Sequence, residues 1–317
     1  MNSKVMLMAA IAICGCARME EHVAPASEEM VELSFRIPSQ QMTKATGEVP
    51  EDVVKDLQIF VFGQDGQLHA YGHEQADRLT LTCSTGKKRV AALVNAPSAS
   101  YVYDESSLMN LVSLFTNNSL ESFVMSGIEN KTIDKTGEVI LPVSRLVSKV
   151  VLTSVKNDFE YIQHREMNFA IKSIFLTNAA KDRNYLSASD PTMWYNKGVS
   201  DMAEIIAQSG TMMYDTFQPA LISYGETYQS GRFLYCYPNP KPEDLGNTYL
   251  VVEAILEGNL CYYPVKLPAM ESNKCYNVAL TIRRPGSATP DVPVDTESAV
   301  FKVDIQSWTY VDVPEII

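Results

Sequence analysis

At 317 residues, 46% of them hydrophobic, the chain is long enough for two domains with cores of ordinary size. Its formal net charge of −12 makes nucleic acid a poor partner and disfavours loose adhesion to anionic lipid. No apolar run after Cys16 is long enough to cross a bilayer.

The opening segment differs from the rest. Lys4 precedes a short apolar run, Val5–Ala12, and then comes Ile13-Cys14-Gly15-Cys16. A basic start and a short apolar core suit a secretory signal, not a membrane span. The closing residues resemble a bacterial lipobox, in which a cysteine thiol receives lipid such as palmitate and the signal is cut just before it. That resemblance makes 1–15 the signal peptide and Cys16 the lipidation site; Ile13 is too bulky to precede a cut at Cys14. An ordinary signal peptide that happens to hold cysteines is the alternative. Acyl chains on Cys16 would hold a soluble domain at a membrane surface. The polar, acidic stretch Ala17–Met30 reads as a tether.

Val31–Ile37 alternates with period two, placing Val31, Leu33, Phe35 and Ile37 on one face, which predicts a half-buried strand stopped by Pro38. Ser39–Asp52 is a polar loop. Leu57–Phe62 is a strand, and Gln64-Asp65-Gly66-Gln67 turns it into a partner at Leu68–Tyr71. Arg78–Cys83 and Lys88–Asn95 are further strands joined by the turn Ser84–Lys87. Leu108, Leu111, Val112 and Phe115 recur at helical spacing, so Asp104–Thr116 reads as a helix capped by Asp104 or Ser106. Val139–Val143 and Arg145–Val155 are β-like. The second half holds strands at Asn168–Thr177, Gly231–Tyr237, Tyr249–Leu256, Cys261–Leu267, Cys275–Arg283, Ala299–Ile305 and Ser307–Val313. Between them Asn178–Ser230 is irregular, with a helix at Asp201–Gln208. No internal repeat stands out. Many short strands in hairpin order with few helices point to β-sandwiches, not to a βαβ fold.

Motifs of catalysis are missing: there is no phosphate-binding glycine loop, no GxSxG and no HExxH. Cys83, Cys236, Cys261 and Cys275 form no CxxC pair and read as buried small hydrophobes, with disulfides as the alternative. His69 and His73 are four apart, but no helix face joins them into a metal site. Glu20-Glu21, Glu28-Glu29 and Glu51-Asp52 read as solvated charge, and Lys87-Lys88-Arg89 as a solvated turn tip. Trp194 and neighbouring tyrosines read as packing, with a sugar-stacking patch as the alternative. The expectation is a non-enzyme without catalytic residues, cofactor or metal.

Several segments together resemble the fimbrillin family, the FimA-type subunits of Bacteroidales type V pili. They are Asp56–Phe62, Cys83-Ser84-Thr85-Gly86 with Val90–Asn95, Ser144–Val150, and Ser272–Ile282 with Pro285-Gly286-Ser287, ending in the strand that carries Trp308. The resemblance covers most of the chain beyond Cys16. It implies a mainly β protein of two tandem transthyretin-like antiparallel β-sandwich domains with a few short helices. The divisions expected are a signal peptide (1–15), a lipidated propeptide with the first strand (16–44), an N-terminal sandwich (45–147) and a C-terminal sandwich with the terminal donor segment (148–317).

The resemblance also implies a mechanism. A precursor anchored by lipid in the outer membrane is cut by a maturation protease, usually one specific for arginine. It loses its first strand and accepts a strand from the next subunit's C-terminal end, a form of β-augmentation. Val31, Leu33, Phe35 and Ile37 would be the displaced face. Phe301, Val303 and Ile305, then Trp308, Tyr310 and Val313, would be the donor face. The alternative is two ordinary terminal strands in one sandwich. Lys44 is the sole basic residue of its loop, where the family usually presents arginine, so the expected cut lies between Lys44 and Ala45. The implied partners are other copies of the chain, related fimbrial subunits, the protease, and a host or bacterial surface ligand. The implied location is the outer membrane and then an extracellular fimbrium. An uncleaved lipid-anchored base subunit and a glycan-binding adhesive tip stay open as alternatives.

Overall fold

The computed structural model describes residues 29–38, 51–292 and 299–307. Cys16, Lys44, Ala45, Trp308, Tyr310 and Val313 lie outside these residues. The first half contains β1 (Met30–Arg36), β2 (Leu57–Phe62), β3 (Leu68–Glu74), β4 (Arg78–Ser84), β5 (Gly86–Val94), α1 (Glu105–Met109), β6 (Val112–Leu114), β7 (Met125–Ile133), β8 (Gly137–Ile140) and β9 (Ser144–Arg145). The second half contains β10 (Ser148–Asn157), α2 (Ile162–Arg165), β11 (Phe169–Thr177), β12 (Ala179–Ala180), β13 (Asp182–Asn184), β14 (Trp194–Tyr195), α3 (Met202–Met213), β15 (Tyr214–Leu221), β16 (Thr227–Cys236), α4 (Pro242–Leu245), β17 (Tyr249–Leu256), β18 (Asn259–Lys266), β19 (Lys274–Ile282) and β20 (Ala299–Ser307). The protein is mainly β with few short helices, as the sequence predicts, and its sheets are antiparallel except for one parallel pair in each half.

In the first half, a three-stranded sheet ordered β4-β1-β8 faces a five-stranded sheet ordered β3-β2-β5-β7-β9. β2 and β5 lack alternation because both of their faces are covered. Leu57, Ile59 and Val61 point into the core shared with β1, as do Val90, Ala92 and Val94. Phe60, Phe62, Ala91 and Leu93 point the other way, into the larger core. In the second half, sheets ordered β16-β10-β19-β20 and β15-β11-β17-β18 enclose Val150, Leu152, Ile171, Ile174, Val252 and Val278. Helix α3 covers the outer face of the latter sheet, where Ile205 meets Phe175, Val251 and Tyr262. Between the halves, β6 pairs with β13, and the Tyr237 hydroxyl hydrogen-bonds Ser113 at 2.7 Å and Asn118 at 3.0 Å.

The two halves follow one strand plan. β1 pairs antiparallel with β4 and parallel with β8; β10 pairs antiparallel with β16 and parallel with β19. In the facing sheets, β3-β2-β5-β7 matches β15-β11-β17-β18, with every pair antiparallel. Matched strands also come in the same chain order. The sequence shows no repeat because strand plan is kept by burial pattern, which many residue combinations satisfy.

Several local expectations are corrected. β4 and β5 are not a hairpin: after Thr85 the chain crosses from one sheet to the other, with Gly86 at φ 112. The helix expected over 104–116 lasts only through Met109. Asp104 does cap it, accepting from the Ser107 N–H at 2.6 Å, but Val112–Leu114 is drawn into pairing with β13. β7 was not expected, because Glu129–Thr132 is polar; it pairs with β5 along its whole length. β15 lies inside the region read as irregular.

Candidate functional site

The first strand is where the alternation places it. Val31 is 7% exposed and Phe35 fully buried, and Leu33 and Ile37 are buried beside them. All four pack against Leu57, Ile59, Leu79, Val90 and Leu141. Burying four such side chains is worth roughly 6–12 kcal/mol before the entropy of ordering them, at about 1.5–3 kcal/mol each. Seven ladder partners tie β1 to β4, from Met30 opposite Ser84 to Arg36 opposite Arg78, and four tie it to β8. Among the described residues, β4 and β8 pair with no strand other than β1. Arg36 pairs with Glu138 at 3.3 Å inside this sheet.

At the other end, among the described residues, β20 pairs along one edge alone. It pairs with β19, with Phe301 opposite Leu280, Val303 opposite Val278 and Ile305 opposite Tyr276. Ala299 is buried, but Phe301 is 38% and Ile305 51% exposed; Val303 packs partly against the core. The apolar row is therefore on the inward side of its sheet yet only partly covered.

Behind the expected cleavage loop stands a cluster that the sequence reading missed. Glu51 was read as solvated and is 6% exposed. Its carboxylate accepts from Lys149 Nζ at 2.7 Å and from the Tyr235 hydroxyl. Its backbone carbonyl accepts from Arg145 Nε at 2.8 Å, and Arg145 also donates to Asn273 Oδ1 at 3.0 Å. Burial pushes the Arg145 guanidinium down to about 10, with Glu51 and Asp52 opposing the shift. Burial, reinforced by Glu51, holds the Tyr235 proton far above the ordinary phenol value. The cluster joins β9, β10, β16 and the loop before β19, so it pins the chain behind the loop to both halves. The available signal was two cations, Arg145 and Lys149, in an otherwise apolar stretch.

The remaining candidates resolve individually. Lys88, expected in a solvated tip, is 4% exposed and donates to Ser84 Oγ at 2.8 Å. His69 lies 3.1 Å from Lys88 Nζ, and His73 faces Asp56. Trp194 packs on the core and is overlaid by Lys197 Nζ, 4.8 Å from its ring. All four cysteines are free, with Cys83, Cys236 and Cys261 buried.

No family model and no curated protein matches the sequence. Solved structures do match. A fimbrilin from Porphyromonas gingivalis is similar at 15% identity with a TM-score of 0.66, over 89% of this chain and 98% of that one. A candidate cell-adhesion protein from Bacteroides eggerthii is similar at 17% identity and TM-score 0.65, over 89% and 97%. The tip fimbrial protein of Porphyromonas gingivalis, solved with a C-terminal truncation, is similar at 12% identity and TM-score 0.53, over 88% and 100%. The chain thus has the tandem β-sandwich fold of these fimbrial and adhesion proteins.

Proposed function

We propose that the chain is a non-enzymatic structural subunit of a cell-surface fimbrium, of the fimbrillin family. In this reading Cys16 carries the lipid of an outer-membrane precursor. A protease cuts between Lys44 and Ala45, β1 leaves, and the C-terminal end of a neighbouring subunit takes its place. The observation that carries the reading is the position of β1. With Ile37 just past its end it supplies four core side chains, it is the middle strand of its sheet, and the residues that link it to the body include Lys44. Its loss opens an apolar groove with unpaired backbone on both sides. Arg36, locked in two ladders, is shielded from the protease that cuts at Lys44.

A second reading, an uncleaved base subunit, is favoured by lysine standing where related loops present arginine. An adhesive tip that stacks sugars on Trp194 is disfavoured by Lys197 lying over that ring. Limited proteolysis of the lipid-free precursor with a Lys/Arg-specific protease tests these readings, followed by intact mass and electron microscopy. One early cut after Lys44 followed by fibres supports the exchangeable subunit. A chain that resists at that loop and stays monomeric refutes it and leaves the base subunit.

A further inference from the structure

β10 starts beside the Glu51 cluster, and its far end, past Asn157, borders a cavity of about 490 Å³. Three arginines line this cavity, Arg165, Arg283 and Arg284, in a chain whose formal net charge is −12. Phe159 and Tyr224 add ring surface to the lining. Tyr161, 43% exposed, lies beside it, with its ring centre 5.3 Å from the Arg284 guanidinium. We propose that this cavity binds a sugar that carries an anionic group. The site needs neither cleavage at Lys44 nor strand exchange, so it goes beyond the fimbrial reading given above.

Three observations support the assignment. First, the cavity is held in shape by the chain itself. Three stretches meet there through backbone hydrogen bonds, each 2.8 Å long: Asp158 N–H to the Ile282 carbonyl, Glu160 N–H to the Arg283 carbonyl, and Gly225 N–H to the Asn157 carbonyl. Second, two of the three cations are not neutralised. Arg284 pairs with Glu160 at 3.0 Å, and the other lining carboxylate, Asp158, pairs with Lys156 at 3.3 Å. Arg165 and Arg283 have no carboxylate partner among the described residues. Arg165 is fixed in place: its Nε and Nη2 donate to the Phe159 and Glu160 carbonyls, each at 2.9 Å, and its guanidinium lies 4.6 Å from the Tyr224 ring centre. Its Nη1 makes no hydrogen bond among the described residues. Arg283 is exposed, and its side chain makes no hydrogen bond or ion pair among them. A fixed guanidinium beside an unengaged one suits a carboxylate or a sulfate ester, which accept forked hydrogen bonds. Third, the rest of the lining suits a sugar better than a bare mineral anion. Asp158 and Glu160 would repel a small free anion but can accept from hydroxyl groups, and the aromatic rings offer apolar surface to a sugar's C–H face.

Arg165 Nη1 and Arg283 would hold the anionic group, and the two carboxylates would take hydroxyls. The preformed shape lowers the ordering cost of binding. One open site of this kind binds weakly, whereas many copies along a fibre would hold an acidic polysaccharide by avidity. Only that last step rests on the fimbrial reading.

The test uses the uncut, lipid-free chain and calorimetric titration. The probes are trigalacturonic acid, its methyl ester, a sulfated galactose oligosaccharide of the same length, and sodium sulfate. The expected result is saturable binding of an acidic sugar, at least about tenfold tighter than the ester or sulfate alone. The tighter of the carboxylated and sulfated sugars then identifies the anionic group. Arg283→Ala removes no side-chain hydrogen bond or ion pair among the described residues, and is expected to weaken binding about tenfold. Lys87→Ala, an exposed cation of the first half, is expected to leave binding unchanged. Four results overturn the proposal: no binding of either acidic sugar, an ester that binds as tightly as the acid, sulfate that binds as tightly as the sugars, or equal losses from Lys87→Ala and Arg283→Ala. The last would mean attraction to diffuse charge. Each of these leaves the proposed function standing, because that reading is tested by cleavage and fibre formation.

Discussion

Removing the Glu51 carboxylate should loosen the junction between the two halves. Glu51→Ala removes the carboxylate that accepts from Lys149, whose side chain is 14% exposed, and from the Tyr235 hydroxyl. The Arg145 hydrogen bond survives, because it uses the Glu51 backbone carbonyl. Breaking a buried ion pair from one side costs about 3–5 kcal/mol, since the remaining charge stays out of water. At about 2–4 °C per kcal/mol for a domain of this size, the apparent Tm should fall by about 6–20 °C. Glu51→Gln keeps an acceptor oxygen for Tyr235 and should lose roughly half as much. Replacing both partners, Glu51→Met with Lys149→Met, should recover much of the loss, because neither charge then needs compensation. Differential scanning fluorimetry and urea titration of the four proteins measure this. An alanine variant within about 2 °C of the parent would refute the view that the cluster is a buried, energetically coupled unit.

Other outcomes follow from the same structure. Phe35→Ala should cost about 3–5 kcal/mol in urea unfolding, whereas Phe301→Ala, at 38% exposure, should cost less than about 1 kcal/mol; equal losses would contradict the burial difference between the two terminal strands. Gly127→Ala should cost about 1–3 kcal/mol, because the added Cβ would lie 2.1 Å from the Pro142 carbonyl oxygen; an unchanged urea midpoint would refute that contact. Burial holds the Cys236 thiol up to about 12 and the Tyr237 and Tyr276 hydroxyls also up to about 12, against ordinary values of 9.0 and 10.0. The folded chain thus binds these protons more tightly than the unfolded one. Their contribution is intact below pH 9 and is lost as pH rises toward 12, at about 1.4 kcal/mol per pH unit for each group. The apparent Tm should be level from pH 8 to 9 and fall increasingly above pH 10, and a level Tm through pH 11 would refute this.

The sequence by itself determined the elements whose chemistry is local. Alternation in Val31–Ile37 fixed which side chains β1 buries, because side chains on a strand point to opposite faces in turn. Gln64–Gln67 fixed a turn, with Gly66 at φ 78, and the carboxylates of Asp104 and Asp201 fixed two helix starts. Other features depended on partners far away in the chain. β7 is a strand because β5 offers it nine backbone partners, against a polar sequence. Val112–Leu114 left a helical pattern because β13 bonds to it. Glu51 and Lys88 are charged residues in polar stretches, and nothing local says that they are buried; a distant counter-charge or hydroxyl makes that burial tolerable. The repeat of one strand plan belongs wholly to the tertiary structure. A sandwich requires only that inward positions be apolar and of suitable volume, so two halves can share most of their strand pairings while their sequences drift apart.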